Sequence, residues 1–376
     1  MNEFDITVII VNYRVKYFLE QALRSVEEAL DGLRGEVYVV DNNSGDDSIA
    51  HSEKLFPWVH FIKNKKNLGF ARANNQGIGA AKGEFTLLLN PDTIISGKCL
   101  REPMQWMHDH PDCGAVGIRM VDGNGVFLPE SKRSFPTPWV AFCKIFGLSR
   151  LRPRSPWLAK YHLRYLDDHE AHEVDILSGA FMLCRTSLLQ EVGGLDEDFF
   201  MYGEDIDLSY RLVKAGHHNW YLPVEMIHYK GESTKKNTMR YVRVFYEAML
   251  IFYRKHYPRY RWISYPVVKT GVFIRAAMAM AKRGITKLLP SRSLHPTEAP
   301  WVILSDNTAR VTLATGVNHF KTQIPDAGPA RVLIDDCSYT YGQIINIIAG
   351  NSRKGVEFHI FSNRNQLVIS PKMSLI

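Results

Sequence analysis

The sequence predicts an α/β protein with a doubly wound sheet, followed by a basic helical segment and a small C-terminal α/β unit. From Ile6 to Asn90, short apolar strand-like runs alternate with stretches whose apolar residues recur at helical spacing. The alternation resumes at Ile176 and again at Trp301. Acidic residues stand where several of these strands should end, the edge at which a doubly wound sheet binds its ligand.

ITVIIV (6–11) is a continuous β-branched run of the kind buried on both faces of a parallel sheet. VKYFLEQALRSVEEAL (15–30) has helical periodicity, and EVYVVD (36–41) reads as a second strand. After the NNSGDDS turn come a helix over 48–55, a strand over 60–63, a helix over 71–81 and a strand over 85–90. The loop after the first strand, VNYRVKYF, has no glycine, so the GxGxxG fingerprint of dinucleotide-binding enzymes is missing. From about Val126 to Val174 the alternation lapses into a segment rich in Pro, Arg, Trp and Tyr, read either as a helical insertion or as a loop over a substrate groove. A strand over 176–185 and a helix with acids at its entrance, within GGLDEDFFMYGEDIDLSYRLVKAG, follow. After a Pro/Ser-rich break, WVILSD, ARVTLAT, RVLIDD, VEFHIFS and QLVIS read as strands and GQIINIIAG as a helix.

The five cysteines (99, 113, 143, 184, 337) show no CxxC pair and read as reduced thiols of a cytoplasmic protein. The start places Glu3 and Asp5 before an apolar run of only six residues, unlike a signal peptide, and no apolar stretch reaches the roughly 20 residues that span a bilayer. The net charge of +7 is unevenly placed. Between Lys235 and Arg292 fourteen Lys/Arg face one acid, Glu247, so this segment carries +13 and the remainder −6. Over 271–289, Arg275, Lys282, Arg283 and Lys287 project on one side of a helix, with Phe273, Ile274, Ala277, Met278, Met280, Ile285, Leu288 and Leu289 mostly opposite. Such a helix suits an anionic membrane surface; a nucleic-acid face and a solvated helix are the other readings. No helix-turn-helix, RRM or zinc pattern supports nucleic acid.

Asp41 follows YVV, Asp92 follows LLLNP, Glu204-Asp205 opens a helix, and His228 comes late. An isolated acid at a strand end is commonly a turn or cap residue, but three on one sheet converge on a common edge. The stretches VIIVNYR (8–14), VVDNNSGDDS (39–48), NKKNLGFARANNQGI (64–78), LLLNPDT (87–93), SGAFMLCR (178–185), GGLDEDFFMYGEDIDLSYRLVKAG (193–216) and IHYKGES (227–233) fall in an order that resembles the family 2 glycosyltransferases, in particular the rhamnosyltransferase-like bacterial subgroup.

That resemblance implies a GT-A fold with a mixed sheet and a nucleotide-sugar site. Asp41 would meet the base or ribose, with Val11 and Asn12 lining the same pocket, and Asn67 and Gly69 would lie near the donor. Asn90-Pro91-Asp92 stands at the family's DXD position, where a divalent cation, Mg2+ or Mn2+, takes hard oxygen ligands and grips the diphosphate. Asn at 90 departs from the strict motif and keeps open a binding or scaffold protein that has lost activity. His228 would complete the metal shell beside Asp92. In SGAF, Gly179 and Ala180 either let the backbone approach the sugar or pack a strand tightly. Asp205 would be the base of a single inverting displacement, with Glu204 orienting acceptor or base or answering the helix dipole. Asp207 and Arg211 read as an i,i+4 ion pair.

The implied activity is transfer of a sugar, with rhamnose the first choice, from a dTDP- or UDP-linked donor to a hydroxyl of a glycan or lipid-linked glycan at the cytoplasmic membrane face. The expected organisation is a catalytic domain over 1–234, the basic segment over 235–292 and a C-terminal unit of open role over 298–376.

Overall fold

A computed structural model describes residues 3–230, 239–258 and 299–371. Its first part runs β1 (Phe4–Asn12), α1 (Lys16–Ala29), β2 (Gly35–Asp41), α2 (Ser48–Leu55), β3 (His60–Lys63), α3 (Phe70–Ala80), β4 (Gly83–Leu89), β5 (Thr93–Ile94), α4 (Gly97–Asp109) and β6 (Cys113–Val121). It continues with α5 (Pro138–Ile145), β7 (His172–Glu173), β8 (Phe181–Arg185), α6 (Thr186–Glu191), α7 (Glu204–Lys214), β9 (His218–His228) and α8 (Met239–His256). Nine strands form one sheet in the order β3-β2-β1-β4-β8-β6-β9-β5, with β7 beside β9. The β1, β2, β3 and β4 pairings are parallel, whereas β8 runs antiparallel to both β4 and β6, so the sheet is mixed.

The sequence reason is direct. Ile6 to Val11 are all buried because β1 lies centrally between β2 and β4, with helices on both faces. Leu19, Leu23 and Val26 of α1 join Ile6, Val8 and Ile10 in one core, while Ile9 faces a second core that contains Ile78, Leu88, Leu208 and Leu212.

The second part runs β10 (Trp301–Leu304), α9 (Thr308–Thr315), β11 (Phe320–Lys321), β12 (Ala330–Asp335), α10 (Tyr341–Gly350), β13 (Val356–Ser362) and β14 (Leu367–Ile369). Its sheet has the order β11-β10-β12-β13-β14, with only the β13–β14 pairing antiparallel. ARVTLAT is a helix here, not the strand expected from its alternation. The Asn307 side chain accepts from the Arg310 N–H, and Gly316 ends the turn in the left-handed region at φ 70°. Helix α10 opens with a capping box between Thr340 and Gln343.

The two sheets share a core. Val15 and Phe18 of the α1 region, Ile94, Val121, Ile227 and Tyr229 pack with Val332, Ile334, Ile344, Ile345 and Ile348. At the edge of that contact the Glu28 carboxylate accepts from the Tyr341 N–H at 3.0 Å, at the start of α10, and Asn365 donates to Glu20 at 2.8 Å. Helix α8 packs on the first part, with Ala248 and Phe252 against Ile176, Phe199 and Ile206. The amphipathic stretch 271–289 lies outside the described residues.

The five cysteines are free, four of them buried. Burial pushes the Cys99 thiol up to about 11, which keeps it protonated and unreactive. Among the described residues no helix is long and apolar enough to cross a membrane.

Candidate functional site

The first group of site residues sits where β1 and β2 end. Asn12 and Asp41 are register partners, and both are buried. The Asn12 amide donates to Asp41 Oδ1, Ser44 Oγ and Ser48 Oγ, each at 3.0 Å, and Ser44 Oγ donates to Asp41 Oδ1 at 2.5 Å. The Ser44 N–H donates to the other oxygen, Asp41 Oδ2, at 3.2 Å, so both carboxylate oxygens are held. Val11 packs below with Val40 and Ala73. The 64–70 loop is tied to this corner by Asn42, whose amide donates to the Gly69 carbonyl at 2.9 Å while its oxygen accepts from the Leu68 N–H at 3.1 Å. Asn67 accepts from the Gly69 N–H at 2.9 Å in an Asx turn. Gly69 has φ +88°, and a Cβ there would stand 2.5 Å from the Phe200 carbonyl oxygen, so only glycine fits.

The second group lies at the end of β4 and the end of β9. Asp92 and His228 are buried, and Asp92 Oδ1 is 3.3 Å from His228 Nε2. The Asn90 amide nitrogen is 3.4 Å from the same ring nitrogen. The antiparallel β5–β9 pairing sets this meeting, since Thr93 is the register partner of His228. His228 Nδ1 is buried without a hydrogen-bond partner among the described residues. A carboxylate oxygen and an imidazole nitrogen 3.3 Å apart in a buried spot are donors that a divalent cation such as Mn2+ accepts.

The third group is at the start of α7. Glu204 and Asp205 are its first residues, after Gly203 at φ +87°. Asp205 Oδ2 accepts from Arg133 Nη2 at 2.6 Å and from the Gly179 N–H at 3.4 Å, and Oδ1 accepts from the Ile206 N–H at 2.8 Å. A carboxylate offers about four acceptor sites, so one remains, on Oδ1. Glu204 is different. Burial, and next the charge of Asp205, push its carboxyl up to about 8, and Oε2 has no hydrogen-bond partner among the described residues. Neighbouring carboxyls in unlike environments separate into an acid and a base. Burial thus favours the protonated form of Glu204, while Asp205 faces the Arg133 guanidinium.

Gly179 and Ala180 join the second and third groups, because the Asn90 N–H donates to the Ala180 carbonyl at 3.0 Å while Gly179 lies against Asp205. The Phe70 N–H donates to the Phe200 carbonyl at 2.7 Å, tying the 64–70 loop to the segment before α7. The three groups therefore share one edge of the sheet. Asp207 pairs with Arg211 at 2.7 Å as the spacing implied, and also meets His256 Nε2 at 2.6 Å, which fixes α8.

Sequence reasoning missed Arg133. Burial opposes its charge, but the carboxylate of Asp205 holds the guanidinium protonated, and its Nη2 also donates to the Leu177 carbonyl at 2.5 Å. It belongs to the irregular 126–174 segment, where no periodicity marks it. Asn42 was visible within the quoted NNSGDD stretch but its bridging role was not. Among the described residues one cluster of three potential ligands is Asp335, Asp336 and Cys337, in the second sheet. Asp335 is consumed there by Ser305 at 2.6 Å, Arg310 at 2.5 Å and Ser338 at 3.1 Å, a structural junction after β12.

A mixed doubly wound sheet whose carboxyl edge gathers an Asp at β2, an Asn-Pro-Asp, a Gly-Ala turn, an acidic helix start and a late His defines a glycosyltransferase of GT-A type. Residues 7–193 match the profile of glycosyl transferase family 2, so this part of the chain is a glycosyltransferase domain of that family, and it is rhamnosyltransferase-like. Over 304 residues it is 28% identical to the N-acetylglucosaminyl-diphospho-decaprenol L-rhamnosyltransferase of Mycobacterium tuberculosis, covering 76% of this chain and 98% of that one. A low-salt glycan biosynthesis hexosyltransferase of Haloferax volcanii is 29% identical over 216 residues, 55% of this chain and 61% of the relative. Among solved structures, a mannosyltransferase from Pyrobaculum calidifontis in complex with GDP-Man and Mn2+ aligns with a TM-score of 0.45 at 18% identity, covering 77% of this chain and 81% of that one.

Proposed function

We propose that the protein is an inverting transferase that moves a sugar, L-rhamnose in the first instance, from a dTDP- or UDP-linked donor to a hydroxyl of a lipid-linked or polysaccharide acceptor at the inner membrane face. The observation that carries this is the geometry at α7, an Asp205 carboxylate held by Arg133 and the Gly179 N–H beside a buried Glu204 whose carboxyl is pushed up by burial. The rhamnosyl and lipid-linked parts rest on the similarity to the mycobacterial enzyme, whose name specifies both.

Asp41 and Asn12 form the floor against which the nucleoside would sit, and Gly69 lets the loop backbone approach the donor. Asp92 and His228, with Asn90 beside them, would hold a Mg2+ or Mn2+ ion, which when bound neutralises charge on the leaving diphosphate. Oδ1 of Asp205 takes the proton of the acceptor hydroxyl. The acceptor oxygen then bonds to the anomeric carbon while the bond from that carbon to the phosphate oxygen breaks, and the nucleoside diphosphate departs. One carboxylate suffices for such a single displacement, which inverts the anomeric centre.

The test is Asp205→Asn. Turnover should fall by at least about 100-fold with donor affinity retained, because the amide keeps the shape and loses the basic oxygen. Near wild-type turnover on the acceptor would overturn the base assignment.

A further inference from the structure

The irregular segment has a composition the transfer reaction does not use. From Lys132 to Leu166 it holds eight Lys/Arg and no Asp or Glu. Three of the eight are turned inward or half-buried: Lys132 and Arg133 are buried, and Lys144 lies over the Tyr161 ring at 3.2 Å. The other five, Arg150, Arg152, Arg154, Lys160 and Arg164, are exposed.

The same stretch exposes its large apolar side chains. Trp157 is 77% exposed, Leu151 74%, Trp139 51% and Phe146 40%. The aromatic ones are not scattered singly. Trp139 stacks on Phe142 at 5.8 Å between ring centroids, Phe142 meets Phe146 at 4.6 Å, and the Trp139 indole N–H donates to the Trp157 carbonyl at 3.2 Å. The inner face of α5 is pinned at the same time, with Ala141 packed against Tyr253 of α8. Soluble proteins rarely leave such a contiguous aromatic and aliphatic patch open to water.

We propose that this aromatic and basic face, spanning residues 139–164, docks the protein on an anionic lipid bilayer. Tryptophan settles at the boundary between headgroup and acyl chain, Leu151 and Phe146 supply apolar surface to insert beside it, and the five exposed cations answer anionic headgroups. Charge complementarity thus selects the occupant. In sequence the face lies apart from the basic stretch at 271–289. The residues just before it border the site: Arg133 binds Asp205, and Pro136 lines an apolar cleft with Tyr202, Ile206 and Phe252 next to Glu204. Docking here would bring the head of a membrane-held acceptor to Asp205, a consequence that rests on the proposed transfer to a lipid-linked glycan; the docking itself does not.

The experiment uses the full chain with vesicles of phosphatidylglycerol and phosphatidylethanolamine, and with phosphatidylcholine vesicles as the uncharged control. Two triple variants probe the face, Trp139→Ser with Leu151→Ser and Trp157→Ser, and Arg150→Gln with Arg152→Gln and Arg154→Gln. Wild type should cosediment with the anionic vesicles at low salt, and each variant should lose more than about tenfold in partitioning. Lipids brominated on the acyl chain should quench wild-type tryptophan fluorescence, and replacing Trp139 and Trp157 by Phe should remove that quenching. All substituted positions are exposed or half-exposed, so circular dichroism and transfer to a short-chain soluble acceptor should be unchanged. Undiminished vesicle binding by both triple variants overturns the proposal, as does absent quenching in wild type. So does a preference for single-stranded oligonucleotide over anionic vesicles. If no nucleotide sugar is turned over while the vesicle results hold, the transferase reading fails alone.

Discussion

Replacing Arg133 by Met keeps most of the side-chain volume and removes the cation. In the native protein its Nη2 donates to Asp205 Oδ2 at 2.6 Å and to the Leu177 carbonyl at 2.5 Å, and the two charged side chains are only 10% and 15% exposed. Removing one member of an ion pair this buried leaves the other charge without its partner, at a cost of about 3–5 kcal/mol. Asp205 would then stand next to Glu204 with only backbone N–H donors, so the upper part of that range applies. Against a domain stability of about 5–15 kcal/mol this loss is large enough to measure. Urea denaturation of the full chain at pH 7 measures the loss. The double variant Arg133→Met with Asp205→Asn should recover a good part of it, because the stranded charge is gone, and the coupling in the cycle should exceed about 1 kcal/mol. A loss below about 1 kcal/mol for Arg133→Met, or strictly additive losses, would refute the reasoning. Turnover should fall in Arg133→Met as well, since Asp205 loses the group that orients it.

Glu204→Gln tests the raised carboxyl. Because the folded carboxyl is pushed up to about 8 from its ordinary 4.5, the native state holds a proton that the unfolded chain releases, and stability from this group declines as pH rises through that window. The Gln variant should lack this decline and gain on wild type between pH 5 and pH 8; parallel melting-temperature profiles would contradict the assignment. Gly69→Ala must place a Cβ 2.5 Å from the Phe200 carbonyl at a positive φ, so it should cost about 1–3 kcal/mol and raise the donor KM, checked by thermal melting and initial rates. Asp92→Ala should weaken Mn2+-dependent donor binding by at least about tenfold in calorimetry, and unchanged affinity would remove Asp92 from the cation site.

Much of the architecture was readable because it is local. The helix Ser48–Leu55 and the strand His60–Lys63 agree with the sequence reading, since apolar spacing and the turns around them agree. Thr308–Thr315 was misread because its β-branched alternation imitates a strand, while the deciding signals, the Asn307 cap and Gly316, lie at its ends. At the site, Asp41, Asp92, Asp205 and His228 all stand at element ends, which is why their convergence could be anticipated. Arg133 could not, because a buried partner for Asp205 supplied from 72 positions away leaves no periodic or local mark. The pairing of Asn42 with the 64–70 loop is of the same kind, a matter of tertiary closure rather than of pattern.

The core shared by the two sheets has a mechanical consequence. Ile94 follows Asp92 by two residues, Ile227 and Tyr229 flank His228, and Val15 follows Asn12 by three, and all four pack against the C-terminal sheet and its helix α10. The C-terminal unit is therefore a splint laid behind the segments that bear the donor-side polar groups. A lesion at Ile344 or Ile345, more than a hundred residues along the chain from His228, would be felt first as slack around the Asp92–His228 pair. Cutting the chain before Trp301 would uncover that apolar seam rather than release a self-sufficient enzyme.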